Sequence, residues 1–515
     1  MTESTRPKPL DRYTQIGNLA DSVRWGLQRI LLLATVVLAG ETAFLFATGS
    51  TGAMAFALIA LGTLLVLAVW RPSGIGLPIV PLIAVQHLVI YGLPIVIGHE
   101  VLEHFPEKYI TMAGAEVLIF SVTLAAAWRL GMSMFRPASA MSYALQGFNQ
   151  ETAGKLKRLG FGLILGSSLH IVLESLNLFA AVYAVRPEGS TSLITTLVSA
   201  AGACGFFLVA MFVGTRDISI GGRILFWSLL AGDCFIRAAG FLLSASTALL
   251  ASVLIGLFWS TGRLPRRFLI VVLLLLAFLN LGKFTMRDHY WTTEGEAAPQ
   301  FSLREMPDHY AEWIQASYDA MTPGGANAEE SGEGAKRPKS QNLLERINNL
   351  ENLLFVIDAI EVSHIQPLHG ATYTLIPPLF VPRIFWPEKP RTHEGQVVLN
   401  VYFGRQDLNA TFQTYIAWGL LPEAYGNFGP RGGAIFLGFC LGLFFAWVEN
   451  YTAHKLLLSL EGFISFTILL DMAGSFEMVA SVLVTAIFQS VVLLVIASVP
   501  FVERTILRRP DEEAA

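Results

Sequence analysis

The chain has 515 residues, of which 53% are hydrophobic and only 14% are charged, and its formal net charge is −4. Soluble globular proteins carry about 25% charged residues, so this composition excludes an ordinary soluble protein and indicates a polytopic membrane protein. The near-neutral charge and the lack of a basic recognition motif exclude nucleic acid as an expected partner.

Apolar runs long enough to cross about 30 Å of hydrocarbon recur along the chain and predict transmembrane helices. They lie near 29–48, 51–70, 77–97, 110–132, 159–183, 191–213, 222–236, 240–259, 267–284, 432–450, 460–474 and 478–500. The predicted fold is therefore an all-α polytopic membrane protein with about twelve spans. Its parts are a tail (1–28), nine spans (29–284), a polar interval (285–431), three spans (432–500) and a second tail (501–515).

The distribution of Lys and Arg predicts the orientation of these spans. With a cytoplasmic N-terminus, twenty Lys and Arg residues fall in inside segments and three fall in short outside loops, at Lys108, Arg186 and Arg237. This bias follows the positive-inside rule. We therefore expect both termini in the cytoplasm and the interval 285–431 outside, between helices nine and ten.

The outer interval contains segments of different character. Residues 322–341 are rich in Gly, Glu, Ala and Lys, which predicts a disordered insert. An amphipathic helix is predicted next, because apolar residues recur at helical spacing. These are Leu343, Ile347, Leu350, Leu354 and Ile357. Residues 411–425 are apolar but too short to span, so they are expected to be re-entrant or interfacial.

Residues 381–390, Val-Pro-Arg-Ile-Phe-Trp-Pro-Glu-Lys-Pro, form the most informative segment. Its three prolines exclude an ordinary helix, and it is apolar enough to lie at a membrane surface. It also carries two cations, Arg383 and Lys389, beside Trp386. This combination suits an anionic, apolar and sugar-bearing ligand. In the alternative interpretation, Arg383 only anchors the loop at the interface.

A second candidate site runs from Pro422 to Gly433 and includes Glu423. A carboxylate in a partly apolar place can have a pKa raised towards the range useful to a general base. In the alternative interpretation, Glu423 is a surface residue paired with Arg431 or Arg383. Tyrosine and tryptophan side chains nearby could stack on sugars or belong to an interfacial belt. Glu449, near a span end, is assigned no special role.

Motifs for common cofactors are absent from the sequence. It contains no Asp-x-Asp string, P-loop, dinucleotide fingerprint or His-Glu-x-x-His string. We therefore expect no cofactor and no metal site, and the energy for a reaction would come from the substrate itself.

Three strings together resemble a known family. Pro-Arg-x-x-Trp-Pro-x-Lys-Pro at 382–390, the preceding Gly370-Ala-Thr-Tyr373, and the later Glu423-x-x-x-Asn427-Phe428-Gly429 are similar to the oligosaccharide repeat-unit polymerases, the Wzy-type O-antigen and exopolysaccharide polymerases. The resemblance implies a metal-independent GT-C glycosyltransferase at the periplasmic face of the bacterial inner membrane. Its donor and acceptor would be undecaprenyl-diphosphate-linked oligosaccharides. The bilayer and a chain-length regulator protein are further expected partners.

The resemblance also suggests roles for individual residues. Glu423 would be the general base, with His393 and Glu394 as alternatives, and Arg383 with Lys389 would stabilise the diphosphate leaving group. The remaining residues expected to contact diphosphate or sugar are Arg346, Arg391, Arg431, Tyr373, Trp386, Tyr425 and Asn427. An O-antigen ligase remains an alternative. A flippase or transporter is another, although it would concentrate its cations in a central cavity between the spans.

Overall fold

The computed structural model describes residues 16–136, 141–145, 150–176, 178, 190–241, 243–261, 264–290, 302–321, 348–381, 385–386, 388–412, 416–456, 459–475, 478–498 and 502–506. The proposed disordered insert, Arg346 and Arg383 lie outside these residues.

Helices dominate the described chain. In chain order they are α1 (Ile16–Ala47), α2 (Ala53–Trp70), α3 (Ile79–His87), α4 (Leu93–Val96), α5 (Val101–His104), α6 (Glu107–Met134), α7 (Gln150–Ser175), α8 (Ser190–Gly214), α9 (Ile220–Ala238), α10 (Leu243–Thr261), α11 (Arg266–Tyr290), α12 (Met306–Asp319), α13 (Leu350–Glu361), α14 (Ile376–Leu379), α15 (Glu394–Tyr402), α16 (Leu420–Phe428), α17 (Gly432–Thr452), α18 (Leu460–Ala473) and α19 (Ala480–Ser498). A π-helical turn, Leu88–Gly92, joins α3 to α4.

Each apolar run predicted to span the membrane coincides with a helix or a pair of joined helices. Of the described helices, six are long and apolar enough to cross a membrane. They are Ile16–Ala47, Ala53–Trp70, Ile79–Val96, Glu107–Met134, Leu156–Ser175 and Gly432–Thr452. The chain is therefore a helical membrane protein, and a total of twelve crossings stays a prediction.

Two details differ from the sequence expectation. Helix α1 begins at Ile16, inside the stretch expected to be a polar tail, because the amides of Ile16 and Gly17 donate to the carbonyls of Lys455 and Ala453. The fold is also not purely helical. A strand β1 (Met141–Leu145) pairs in antiparallel register with β2 (Val502–Ile506), and such a short pair carries no sequence signal strong enough to predict.

The chain divides into two compact units. The first contains α7 to α12, and its core includes Ile164, Phe206, Phe226 and Val253 from four helices. In the same unit α12 packs on α11, where the Trp313 indole donates to the carbonyl of Leu279 at 2.7 Å.

The second unit contains α1 to α6, the strand pair, α13 to α18 and most of α19. Its centre is the contact of α17 with α6. A Cβ at Gly442 would lie 2.6 Å from the Leu124 carbonyl oxygen, so only glycine permits this separation of the two backbones. The same unit holds every described residue of both candidate sites.

Helix α13 overlaps the second half of the predicted amphipathic helix. Leu350, Leu354 and Ile357 are buried on one face, whereas Leu343 and Ile347 lie outside the described residues. Its start is fixed by Asn349, whose amide N–H donates to the Ile90 carbonyl at 3.0 Å. This contact places the start of α13 directly on the π-helical turn.

Candidate functional site

Helix α16 carries Glu423 and is bounded by two glycines in left-handed conformations, Gly419 with φ 94° and Gly429 with φ 70°. Glycine adopts such angles at little cost, which explains why this helix is only nine residues long. Its residues from Leu421 to Asn427 are all buried. Glu423 is 0% exposed, so the alternative of a surface glutamate paired with an arginine is wrong.

Both carboxylate oxygens of Glu423 accept hydrogen bonds from the protein. Oε1 accepts from the Thr372 hydroxyl at 2.7 Å, and Oε2 accepts from the backbone amide of Ala480 at 2.6 Å. Ala480 is the first residue of α19, so the carboxylate lies at the positive end of that helix. Burial raises the pKa of Glu423 to about 7, while the two hydrogen bonds act in the opposite direction.

Asn427 lies one turn after Glu423 and completes the contact with Thr372. Its Nδ2 donates to the Thr372 hydroxyl oxygen at 2.9 Å and to the Glu423 carbonyl at 2.8 Å. Its Oδ1 accepts from the Thr372 amide at 3.3 Å. The Gly370–Tyr373 string and the Glu423–Asn427 string are therefore joined by a buried hydrogen-bonded cluster, which we call the Thr372 cluster (Thr372, Glu423, Asn427).

The glycine-rich run after Asn427 brings α17 close to α16. A Cβ at Gly433 would lie 2.5 Å from the carbonyl oxygen of Ala424, closer than any real side chain could approach. The backbone amide of Arg431 donates to Oε1 of Glu116 in α6 at 2.7 Å. Arg431 itself is left-handed, with φ 59°, and its side chain is exposed.

The two tyrosines predicted to contact sugar are packed inside the protein. The Tyr373 ring stacks on Phe428 with centroids 5.6 Å apart, and Tyr425 is 0% exposed. Within the described chain, the hydroxyls of Tyr373 and Tyr425 and Oε2 of Glu116 are buried without a hydrogen-bond partner. Trp386, by contrast, is 44% exposed.

The predicted cations occupy different environments. Lys389 Nζ donates to the carbonyls of Leu379 at 2.8 Å and Val381 at 2.7 Å, so it holds its own loop together. Arg391 is partly exposed and its Nε lies 3.0 Å from Glu394 Oε2.

The runner-up base His393 lies at the start of α15, next to the Thr372 cluster. Its Nδ1 is 2.8 Å from Oε1 of Gln396. The N-terminal turn of α15 approaches the cluster at Gly395, where an added Cβ would lie 3.8 Å from Thr372 Cβ. Candidates predicted from the sequence therefore lie both on α16 and at the start of α15, next to Thr372.

The contacts of two residues were not predicted from the sequence, although Arg405 belongs to the group of arginines that makes the interval 285–431 unusually rich in guanidinium groups. Thr372 lies inside a quoted string, but nothing marked it as the partner of Glu423. Arg405 is the second: its Nη1 donates to Asn352 Oδ1 at 2.6 Å, and its guanidinium lies 5.2 Å from the Phe355 ring and 5.9 Å from the Trp418 ring. Arg405 therefore links α13 to Trp418. Phe355 precedes Arg405 by 50 residues and Trp418 follows it by 13, so the sequence gives no local signal for these contacts.

In the part of the chain that the structure describes, no group of three or more His, Cys, Asp or Glu residues could hold a metal ion. Comparisons with family models, curated proteins and solved structures found no match to this chain.

Proposed function

We propose that this protein is a repeat-unit polymerase, which joins undecaprenyl-diphosphate-linked oligosaccharides at the outer face of the membrane. The observation that supports it most is the Thr372 cluster. Two strings that carry the family resemblance lie about fifty residues apart in sequence, yet they share three hydrogen bonds between buried side chains and backbone. A meeting of this kind is expected if both strings build one site.

The proposed reaction is a glycosyl transfer without a metal. The bond between the anomeric carbon of the growing chain and its diphosphate oxygen breaks, and a bond forms to a hydroxyl of the acceptor repeat unit. The diphosphate leaves with the bond electrons and needs cations. Arg383 is the proposed stabiliser, and the exposed Arg431 and partly exposed Arg391 are proposed to supply further guanidinium groups.

The proton of the acceptor hydroxyl needs a base, and we assign this role to Glu423. Its pKa of about 7 lies in the range where a carboxylate can both take and release a proton. The Thr372 hydroxyl already donates to Oε1. In the proposed step the acceptor hydroxyl replaces the Thr372 hydroxyl at that oxygen, while the Ala480 amide keeps the carboxylate in place.

The first test replaces Arg383. The purified protein is placed in vesicles with a lipid-diphosphate-linked repeat unit as donor and acceptor, and products are separated by length. We expect Arg383→Ala to lower polymer formation by ~10²–10³ while single lipid-linked units persist. The control is Arg304→Ala, at an exposed arginine two residues before α12. This variant should form polymer normally. Normal polymer from Arg383→Ala would overturn its role.

The second test concerns the base and the reaction class. Glu423→Gln keeps the side-chain shape and should lower the rate by ~10²–10⁴. Glu351→Gln, at an exposed glutamate of α13, is the matched control. An O-antigen ligase would instead transfer one chain to a glycolipid acceptor and give no ladder. A flippase would move the lipid-linked unit across the vesicle and form no new glycosidic bond.

A further inference from the structure

Bulky aromatic side chains are exposed on the segment between α14 and α15. Phe385 is 80% exposed, Trp386 44% and Phe380 42%. We call these three residues the aromatic tip. Large apolar side chains exposed close together in sequence mark an interaction surface. The contacts of the segment indicate what covers it.

The segment packs beside α19, which the sequence predicts to span the membrane. Phe380 packs edge-on against Phe488 of α19, with ring centroids 4.9 Å apart. Phe488 is eight residues after Ala480, the first residue of α19, which at 1.5 Å per residue is about 12 Å along the helix axis. Because the predicted span begins near residue 478, Phe380 lies well below the outer end of that span.

Several polar backbone groups of the segment have hydrogen-bond partners within the segment itself. Irregular backbone at membrane depth is stable only where its polar groups have partners. Lys389 Nζ donates to the carbonyls of Leu379 and Val381, and the amides of Phe380 and Val381 donate to the carbonyls of Pro377 and Pro378. The prolines help as well, because they have no N–H to satisfy.

The aromatic tip continues an apolar surface of α19. On that helix Phe488 is 40% exposed and Val492 is 36% exposed. A soluble partner would leave this adjoining apolar face uncovered, whereas lipid would cover both. Trp and Lys are also residues that favour the boundary between acyl chains and headgroups.

We propose that the chain at the aromatic tip re-enters the bilayer and that the tip contacts lipids of the outer leaflet, and the described residues 376–381, 385–386 and 388–389 carry this proposal. The segment enters the bilayer beside α19, and Lys389 ties its two limbs together. This inference does not depend on the enzymatic proposal, because it concerns only where the segment lies.

Spin-label depth measurements test the proposal. The three native cysteines, Cys204, Cys234 and Cys440, are first replaced by alanine, and a nitroxide is attached at Phe385→Cys. The protein is placed in vesicles of phosphatidylethanolamine and phosphatidylglycerol. Collision rates are measured with oxygen, which concentrates in lipid, and with a water-soluble nickel complex.

Two labelled positions calibrate the scale. Phe439→Cys lies two turns inside α17 at a 46% exposed position, and Ser363→Cys lies at an exposed position of the outer segment. We expect the label at 385 to behave like that at 439, with much less nickel collision than at 363. Nickel collision at 385 equal to that at 363 would overturn the proposal. If Phe385→Cys does not fold, Trp386→Cys replaces it with the same two outcomes.

Discussion

Two buried glutamates of the second unit show how differently its two ends are built. At the predicted inner end, Glu449 of α17 accepts from the indoles of Trp70 at 2.9 Å and Trp128 at 3.1 Å and from the amide of Ile75 at 3.3 Å. At the predicted outer end, Glu423 accepts from one hydroxyl and one amide. Both side chains are 0% exposed.

The surroundings of these glutamates differ more than their burial does. Glu449 joins α2, α6 and α17 through donors that belong to rigid rings and backbone. Near Glu423, the buried Tyr373 hydroxyl has no hydrogen-bond partner in the described chain, and the same is true of the Tyr425 hydroxyl and one oxygen of Glu116 in the same unit. Buried polar atoms are normally paired, so unpaired ones suggest a place where a ligand supplies the missing bonds. Glu449 thus accepts three hydrogen bonds from its surroundings, and Glu423 accepts two.

The largest expected effect comes from breaking the inner end. Glu449→Ala leaves two indoles and one amide without an acceptor, which should cost about 4 kcal/mol of unfolding free energy. The thermal midpoint of the detergent-solubilised protein measures it, and the loss should exceed that of Glu423→Ala. If Glu449→Ala does not accumulate, Glu449→Gln keeps one acceptor oxygen and should show a smaller loss. A loss below that of Glu423→Ala would contradict the comparison.

The next effect is the dependence of stability on pH that Glu423 should cause. Burial raises the pKa of Glu423 from 4.5 to about 7, so between these pH values the folded protein keeps a proton that the unfolded chain has lost. Stability therefore falls as pH rises through this window, by about 3 kcal/mol in total, and changes little above it. Thermal midpoints from pH 4.5 to 8 measure this.

Glu423→Gln isolates that contribution, because the amide resembles the protonated acid. We expect its midpoint to match that of the wild-type protein at pH 4.5 and to exceed it at pH 8. Glu351→Gln, at an exposed position, should keep the wild-type pH dependence. Equal slopes for Glu423→Gln and wild type would show that Glu423 does not titrate in this range.

The same pair of glutamates shows what sequence could predict. Hydropathy is a local property, so the positions of α2, α6 and α17 followed from apolar runs. The partners of a buried carboxylate are not local: Ala480 follows Glu423 by 57 residues, and Trp70 precedes Glu449 by 379. Glu449 was therefore assigned no special role, although it joins three helices.

The candidate site was predictable in part for a similar reason. The resemblance selected strings around Thr372, Glu423 and Asn427, and these lie together in the structure. It also selected Lys389 for diphosphate, and nothing in the string reveals that two carbonyls of the same loop are within its reach. Whether Lys389 also contacts diphosphate stays a prediction.

The smallest of these effects concerns Thr372 and tests whether its hydroxyl group stabilises the folded protein. Thr372→Val keeps the volume but removes the donor to Glu423 and the acceptor for Asn427, so it should cost ~1–3 kcal/mol. Thr374→Val is the matched control, because that hydroxyl is exposed and donates only to the nearby Ala371 carbonyl at 2.7 Å. Its midpoint should stay within ~0.5 kcal/mol of wild type.

Thr372→Ser tests whether the hydroxyl or the methyl group matters. Serine restores both hydrogen bonds, so most of the lost stability should return. The loss of the Thr372 donor should also raise the pKa of Glu423 further, which would extend the pH-dependent fall in stability of Thr372→Val to higher pH. Equal stability of Thr372→Val and Thr374→Val would contradict this prediction. The Glu423 carboxylate would then depend on the Ala480 amide alone, and the hydrogen bond between Thr372 and Glu423 would contribute nothing to stability.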